Sequence, residues 1–387
     1  MHIAFLTPEF PHPKVVHAAG IGTSIRNLAI ELAKERVTVT VFVYGQKTNE
    51  LIVENGIRIH LIKSKKYKFL GWYLHRKYIQ DYCKSVIKKE KIELLEAPDW
   101  TGITAFMKFE IPLIIRFHGS DTYFCHLEKR KQKRKNFWFE NLALKNANAF
   151  IAPTDFAGKL TNKLFKNKKI ETKTIPNGID LSLFRNGFPE KYEENTLLYV
   201  GTLIRKKGVL ELPGIFNEVR KTIPNAKLIL IGSDSFDIQT SSKSTWDLME
   251  KNFDPEDLKN VSYLGKIPYE EVQKHIKLAN VCVFPTYAET LGMVTIECMA
   301  MQKAVVNSNI GWSQELIVDH ESGFLIYPAN HFEFASKIIE LFKNNDLVLE
   351  IGKKARLRAE DKFDIEKIAK NNVEFYSRII NSNFVRQ

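Results

Sequence analysis

Two carboxylates and a glycine surround the start of a helix near residue 290. The apolar run Val281–Phe284 predicts a buried strand, a short polar loop follows, and a helical pattern begins near Gly292. Unpaired backbone N–H groups at a helix start lie at the positive end of the helix dipole and form a general phosphate site. Glu289 and Glu297 flank this position, and carboxylates accept hydrogen bonds from hydroxyl groups. The pattern indicates a site for a phosphate with hydroxyls on both sides, although a capping acid and a solvated acid would give the same spacing.

Short apolar runs alternate with amphipathic patterns along the chain. The predicted strands are Ile3–Leu6, Val37–Val43, Ile57–Leu61, Ile92–Glu96, Leu113–Phe117 and Ala149–Ala152, then Leu197–Val200, Lys227–Ile231, Val261–Leu264, Val281–Phe284, Ala304–Asn307 and Phe324–Ile326. Such alternation with helices predicts parallel sheets covered on both faces. Since 387 residues exceed one ordinary core, we expect an α/β chain of two doubly wound, Rossmann-like domains.

The domain boundary is expected near Pro176-Asn177-Gly178, a turn signal after the last strand of the first half. The predicted domains are residues 1–180 and 181–364. The final helical stretch, within 365–387, follows the completed second sheet and has little left to pack on there, so we expect it to return to the first domain. Ligands of parallel sheets bind beyond the carboxyl ends of the strands, and two facing sheets would enclose a cleft.

Six segments resemble glycosyltransferase family 4, which consists of retaining enzymes with the GT-B fold. They are Gly20–Gly22 with the helix that follows, Ile175–Asp180, Val200–Gly208, Glu289–Glu297, Gly311–Leu316 and Gly323–Leu325. Glu289 and Glu297 match the E-x7-E motif of that family, and the segments occur in the family's order over nearly the whole chain. The resemblance implies transfer of a sugar from a nucleotide-sugar donor, bound by the second domain, to an acceptor bound by the first.

The resemblance also implies individual roles. Glu297 would bind the ribose and Glu289 the hydroxyls of the donor sugar. Lys207, with Arg205 nearby, would neutralise the donor diphosphate, because fixed cations stabilise the charge that develops on a leaving group. The family often places Arg directly after the glycine of this segment, whereas this chain has Thr202 there. Backbone or side-chain contacts to the donor are further expected from Gly20, Gly22, Thr202, Leu291, Gly292 and Met293.

His118 is the candidate from the first domain. It follows the strand Leu113–Phe117 and precedes Gly119, which places it at the carboxyl end of the sheet. By resemblance it contacts the donor sugar near the reacting carbon, and the alternative is a histidine satisfied within the core. Asp121 either orients the acceptor hydroxyl or caps the next segment.

The net charge of +12 is unevenly distributed. Residues 1–190 contain 32 Lys and Arg against 18 Asp and Glu, whereas the remainder contains 25 against 27. Two basic segments are interleaved with or followed by aromatic residues, Lys63–Tyr73 and Lys129–Trp138. This composition suits an anionic membrane surface, a nucleic-acid backbone or ordinary solvated helix faces. Because many relatives use lipid-linked acceptors, the membrane is favoured over nucleic acid, and solvated helix faces stay an equal alternative; no nucleic-acid partner is expected.

Other classes of site find no support in the sequence. No apolar run approaches the 20 residues of a membrane span, and the apolar start is too short for a signal peptide. The four cysteines lack CxxC spacing, which favours free thiols in a reducing cytosol. Neither clustered zinc ligands nor an acidic pair for a metal–diphosphate bridge occurs, so neither a metal nor another cofactor is expected. We expect a cytoplasmic protein, either free or peripheral on the inner face of the membrane.

Two alternatives remain open. The fold also suits another sugar-phosphate enzyme, such as a phosphorylase or an epimerase, or a non-catalytic binding protein. Family habit points to an acceptor in polysaccharide or lipopolysaccharide synthesis. Thr290-Leu291 departs from the residues common in the family at this place, so the donor sugar stays undefined.

Overall fold

The computed structural model describes residues 1–384 and divides them into two compact units. The first unit contains Met1–Asp180 and the chain from Asp364 onward, and the second contains Leu181–Phe363. Each unit is built on one twisted sheet with helices on its faces, as the alternating pattern of the sequence predicts. Within the described residues, no helix is long and apolar enough to cross a membrane.

The first unit has an eight-stranded sheet. Strands β1 to β8 are His2–Thr7, Thr38–Gln46, Glu50–Glu54, Ile57–Lys63, Leu94–Pro98, Leu113–Arg116, Ala149–Ala152 and Thr172–Thr174. Their order across the sheet is β3-β4-β2-β1-β5-β6-β7-β8. All neighbours are parallel except β3, which pairs antiparallel with β4 at the edge. β1, β5, β6 and β7 are buried along their whole length, which is why each reads as a continuous apolar run.

Helices cover both faces of this sheet. Helices α1 to α5 are Gly20–Lys34, Gly71–Glu90, Asp121–Leu127, Arg134–Lys145 and Asp155–Leu164. Alternate residues of β1 point to opposite faces. Ile3 and Phe5 belong to the core that includes Leu28 of α1, and Ala4 and Leu6 to the core that includes Ile79 of α2.

The second unit has a six-stranded parallel sheet. Strands β9 to β14 are Thr196–Val200, Lys227–Ile231, Val261–Tyr263, Val281–Phe284, Ala304–Ser308 and Phe324–Ile326, in the order β11-β10-β9-β12-β13-β14. Helices α6 to α13 are Leu212–Thr222, Trp246–Glu250, Pro255–Leu258, Tyr269–Leu278, Met293–Ala300, Ser313–Leu316, His331–Phe342 and Asn345–Lys362. β9 and β12 are neighbours, so the loops that follow them meet at one edge of the sheet.

The last helix, α14 (Ile365–Phe384), packs on α1 in the first unit. A buried ion pair ties it to the sheet. Arg116 donates to Glu96 at 2.6 and 3.1 Å and to the side-chain oxygen of Asn372 at 2.6 Å, and the Tyr376 hydroxyl donates to Glu96 at 2.6 Å. The charges are therefore satisfied by hydrogen bonds on both sides, the condition under which a buried ion pair is tolerated.

Candidate active site

The loop after β9 and the loop after β12 form one surface in the second unit. Gly208 has φ +66°, in the region that favours glycine, and a side chain there would overlap the carbonyl oxygen of Pro285. The backbone N–H groups of Tyr287 and Ala288 both donate to the carbonyl oxygen of Lys206, at 2.9 and 3.1 Å. These contacts fix the segment containing Lys206 against the carboxyl end of β12.

Lys207 and Glu289 meet on this surface. The Lys207 ammonium forms an ion pair with Oε1 of Glu289, and their side chains are 26% and 19% exposed. Burial and the neighbouring Lys206 lower the pKa of Lys207 to about 7, whereas the Glu289 carboxylate favours the charged ammonium. The contact with this carboxylate therefore opposes the effect of burial on the lysine.

Helix α10 begins beside this pair. Gly292 has φ +94° and precedes Met293, the first residue of α10, which has no side-chain cap. A helix start without a side-chain cap leaves backbone N–H groups available for an anion. The structure thus places the predicted backbone donors near Leu291, Gly292 and Met293 at the same strand end as Lys207. Thr202 lies exposed at the neighbouring end of β9.

Glu297 lies further along α10 and already has a hydroxyl partner. The Tyr269 hydroxyl donates a hydrogen bond to it, and burial raises the pKa of Glu297 to about 7. A ribose hydroxyl would therefore share or replace the phenol hydrogen bond. Tyr269 opens α9, and no motif in the sequence marks it.

Arg205 faces a different carboxylate. Its Nε and Nη2 each donate to Asp237 at 2.8 Å, and Asp237 is only 2% exposed. The guanidinium, together with Thr240, holds the pKa of Asp237 well below its usual range. A bidentate pair of this kind occupies the guanidinium fork. Arg205 is thus engaged with the loop after β10, and Lys207 is the predicted diphosphate cation that contacts Glu289.

In the first unit, His118 follows β6 and is neutral. Burial and the nearby Arg116 lower the pKa of His118 to about 3. Its backbone N–H donates to Oδ1 of Asp99 at 2.9 Å. Asp99 directly follows β5 and is 2% exposed, its burial raises the pKa to about 7, and its Oδ2 has no partner among the described residues. No motif in the sequence marks Asp99, which lies beyond the predicted strand Ile92–Glu96 but directly after β5 as the structure has it.

The two glycines of the first loop have different surroundings. Gly22 donates its N–H to Oε1 of Glu9 at 2.9 Å, and a side chain on Gly22 would overlap the Glu9 backbone. Gly20 opens α1 with free space around it. Asp121 bonds Asn136 and Arg130, and Ser120, rather than Asp121, caps α3.

Solved structures with similar folds identify the class. Sucrose-phosphate synthase from Thermosynechococcus elongatus superposes with a TM-score of 0.82 at 22% identity, covering 98% of this chain and 99% of that one. HepE of Anabaena, solved with UDP and glucose, gives 0.73 at 19% identity, covering 98% and 100%. The chain therefore has the GT-B fold, and the predicted fold class is confirmed.

Sequence comparisons identify the family. "Glycosyltransferase Family 4" matches residues 18–183, and "Glycosyl transferases group 1" matches 182–358. A glycosyltransferase of Methanocaldococcus jannaschii is 24% identical over 394 residues, covering 97% of this chain and 98% of that protein. The capsular polysaccharide biosynthesis glycosyltransferase CapM of Staphylococcus aureus is 29% identical over 238 residues, covering 57% and 58%. The chain belongs to glycosyltransferase family 4 and is a glycosyltransferase.

Proposed function

We propose that this enzyme moves a sugar from a nucleotide-sugar donor to a glycan or lipid-linked acceptor, with retention of configuration, during synthesis of a cell-surface polysaccharide or lipopolysaccharide. The ion pair of Lys207 and Glu289 beside the start of α10 carries the proposal. The Lys207 ammonium and the backbone N–H groups at the helix start can bind a diphosphate, and the Glu289 carboxylate can bind sugar hydroxyls. The relatedness to CapM, named for capsular polysaccharide biosynthesis, supports this acceptor class.

The second unit binds the donor in this proposal. Lys207 and the N–H groups at the start of α10 hold the diphosphate without a metal ion, Glu289 binds the sugar hydroxyls, and Glu297 binds the ribose. Transfer breaks the bond between the anomeric carbon and the phosphate oxygen and forms a bond to the acceptor oxygen. The acceptor's proton passes to the departing phosphate. Lys207 opposes the negative charge that accumulates there.

The first unit binds the acceptor, with His118 contributing near the reacting carbon. As a neutral imidazole, His118 offers a hydrogen bond without adding a charge. The Asp99 carboxyl anchors its backbone. His118 therefore provides an uncharged hydrogen-bonding group at the end of β6, and Asp99 provides an ionisable one at the end of the neighbouring strand β5.

The two basic segments of the first unit lie together. Trp72 of α2 contacts Trp138 and Phe139 of α4, with ring centroids 5.9 and 5.3 Å apart. We name the segments Lys63–Tyr73 and Lys129–Trp138 the basic aromatic surface. Its exposed cations are Lys63, Lys65, Lys66, Lys68, Lys129, Lys131, Lys133, Arg134 and Lys135.

Large apolar side chains project from the same surface. Phe69 is 82% exposed, Leu70 60% and Trp138 45%. Exposed apolar groups among lysines suit an anionic lipid surface, since the lysines attract the headgroups and the apolar groups enter the boundary region. A protein that elongates a lipid-linked acceptor gains from this attachment, so we propose that the enzyme acts at the membrane.

Turnover by the Glu289→Ala variant tests the proposal. The wild type should release nucleoside diphosphate from one nucleotide sugar and transfer its sugar, and Glu289→Ala should lose most of both activities while keeping its fold. A phosphorylase would instead form a sugar 1-phosphate from inorganic phosphate without any nucleotide. Unchanged hydrolysis and transfer in Glu289→Ala would contradict the proposed site. We expect the activity to survive complete removal of divalent metal ions by a chelator.

A further inference from the structure

Three side chains from separate elements of the second unit form a hydrogen-bonded chain. Nε2 of His331 lies 2.6 Å from Oε2 of Glu211, and the Tyr287 hydroxyl donates to Oε1 of the same carboxylate at 3.0 Å. His331 is the first residue of α12, Glu211 ends a short 3-10 helix before α6, and Tyr287 lies in the loop after β12. The carboxylate therefore joins three elements through both of its oxygens.

Tyr287 holds the segment around Lys207 at two points. Its backbone N–H donates to the carbonyl of Lys206, and its hydroxyl donates to Glu211. These two attachments lie on either side of Lys207 and Gly208. Since Tyr287 also stands two residues before Glu289, it connects both partners of the ion pair to one anchor.

His331 secures the far side of that anchor. Gly214 of α6 lies against its imidazole, and a side chain at Gly214 would overlap the ring. α6 and α12 pack along each other. Arg205 also interacts electrostatically with Glu211. The carboxylate is thus held between an imidazole and a phenol.

We propose that His331, Glu211 and Tyr287 form a positioning relay that holds Lys207 at the donor diphosphate without contacting the donor themselves. This inference rests on the proposed donor site. Loss of the relay should weaken donor binding while leaving acceptor binding unchanged. Hydrogen bonds to charged groups contribute about 1.5–3 kcal/mol, so one broken link should raise the KM for the donor by roughly tenfold or more.

The test compares Tyr287→Phe with Tyr327→Phe. Both remove one hydroxyl from a tyrosine, and Tyr327 is a suitable control because it is 52% exposed and its ring stands beside that of Tyr287. Tyr287→Phe should raise the donor KM about tenfold and leave the acceptor KM unchanged. Tyr327→Phe should match the wild type. Equal donor KM values in both variants would overturn the relay.

Two variants on the opposite side give an independent measurement. Since a side chain at Gly214 would overlap the His331 ring, Gly214→Ala should displace the imidazole and raise the donor KM while leaving the acceptor KM unchanged. His331→Gln keeps an N–H donor and should retain the wild-type KM, whereas His331→Ala should not. The double variant Gly214→Ala/Tyr287→Phe should raise the donor KM by less than the product of the two single fold-changes, because both substitutions break the same network. Additive effects would contradict the relay.

The relay and the proposed function fail in different ways. A wild type that neither binds nor turns over any nucleotide sugar refutes the donor site itself, and the relay with it. If the wild type is active and Tyr287→Phe, Gly214→Ala and His331→Ala all have the wild-type donor KM, the relay alone is refuted.

Discussion

The ammonium of Lys207 contacts the carboxylate of Glu289, although the two residues belong to different loops of the second sheet. Burial and the neighbouring Lys206 lower the pKa of this lysine towards neutrality. The carboxylate in contact with it favours the charged ammonium and also presents an acceptor for hydroxyls. This one ion pair therefore presents a cation for the diphosphate and a carboxylate for the sugar hydroxyls of the donor.

Replacing Glu289 should make donor binding dependent on pH. In Glu289→Gln the lysine loses its counter-charge, so its pKa moves towards the value of about 7 that burial and Lys206 impose. Lysine is charged below its pKa, so donor affinity should be highest at pH 6 and fall by about tenfold by pH 8. Calorimetry with a nucleotide sugar at both pH values measures this.

The control for this experiment adds Lys207→Arg. A guanidinium does not titrate in this range, so Glu289→Gln/Lys207→Arg should bind the donor equally at both pH values. If Glu289→Gln alone shows no pH dependence, Glu289 does not govern the charge of Lys207.

Arg205 should matter more for stability than for donor binding. Arg205→Ala leaves the buried Asp237 carboxylate without its bidentate partner, and should lower the free energy of unfolding by about 2 kcal/mol. The pKa of Asp237 is depressed in the folded state. The ion pair therefore stabilises the wild type fully above the unfolded pKa, and this stabilisation declines below that pKa and is lost as the pH falls through the lower folded pKa.

Urea unfolding at pH 7 and pH 3 measures this contribution. The difference in the free energy of unfolding between the wild type and Arg205→Ala should be larger at pH 7 than at pH 3. The double variant Arg205→Ala/Asp237→Asn should recover part of the lost stability. A tenfold weaker donor affinity in Arg205→Ala with unchanged stability would instead assign Arg205 to the diphosphate.

The basic aromatic surface should bind vesicles through two separable interactions. Phe69→Ser/Leu70→Ser should reduce sedimentation with anionic vesicles at both low and high salt, because it removes exposed apolar groups. Lys65→Gln/Lys66→Gln should reduce it mainly at low salt, since each lysine contributes about 1 kcal/mol near the surface and salt screens that attraction.

Phe332 provides the matched control for vesicle binding. It is 76% exposed and belongs to the second unit. Phe332→Ser should sediment like the wild type. An equal loss in Phe332→Ser, or full binding by Phe69→Ser/Leu70→Ser, would exclude the basic aromatic surface as the membrane contact.

The anchor of α14 should stabilise the first unit. Tyr376→Phe removes a buried hydrogen bond to Glu96 and should cost about 1–3 kcal/mol. Arg378→Met, on the same helix, breaks an exposed ion pair with Glu171 and should cost about 1 kcal/mol at most. Chemical denaturation compares the two, and equal losses would argue against the buried network.

Much of the fold follows from local pattern. Buried parallel strands such as Ile3–Leu6 are continuous apolar runs, and the structure has a strand at each of the twelve predicted places. Two strands were missed. Glu50–Glu54 has only three apolar residues, between two acids, at the edge of the sheet, and Thr172–Thr174 is short and polar. The Asn55-Gly56 turn, with φ of +51° and +76°, is the hairpin signal that predicts β3.

The candidate site was only partly predictable. Glu289 and Lys207 follow strands within matched motifs, so the sequence pointed to both. The partner of each side chain depends on tertiary contacts, which is why the pairing of Arg205 with Asp237 and of Glu297 with Tyr269 had no signal. The relay likewise joins Glu211, Tyr287 and His331 from three distant segments.

The most direct test of the account is a thermal-shift panel of nucleotide sugars on the wild type and on Lys207→Met. At 100 times its dissociation constant, the true donor should stabilise the wild type by about 2.7 kcal/mol, and Lys207→Met should lose most of this stabilisation at the same concentration. If no nucleotide sugar stabilises the wild type, or if the donor stabilises Lys207→Met equally, the assignment of the donor diphosphate to Lys207 is contradicted.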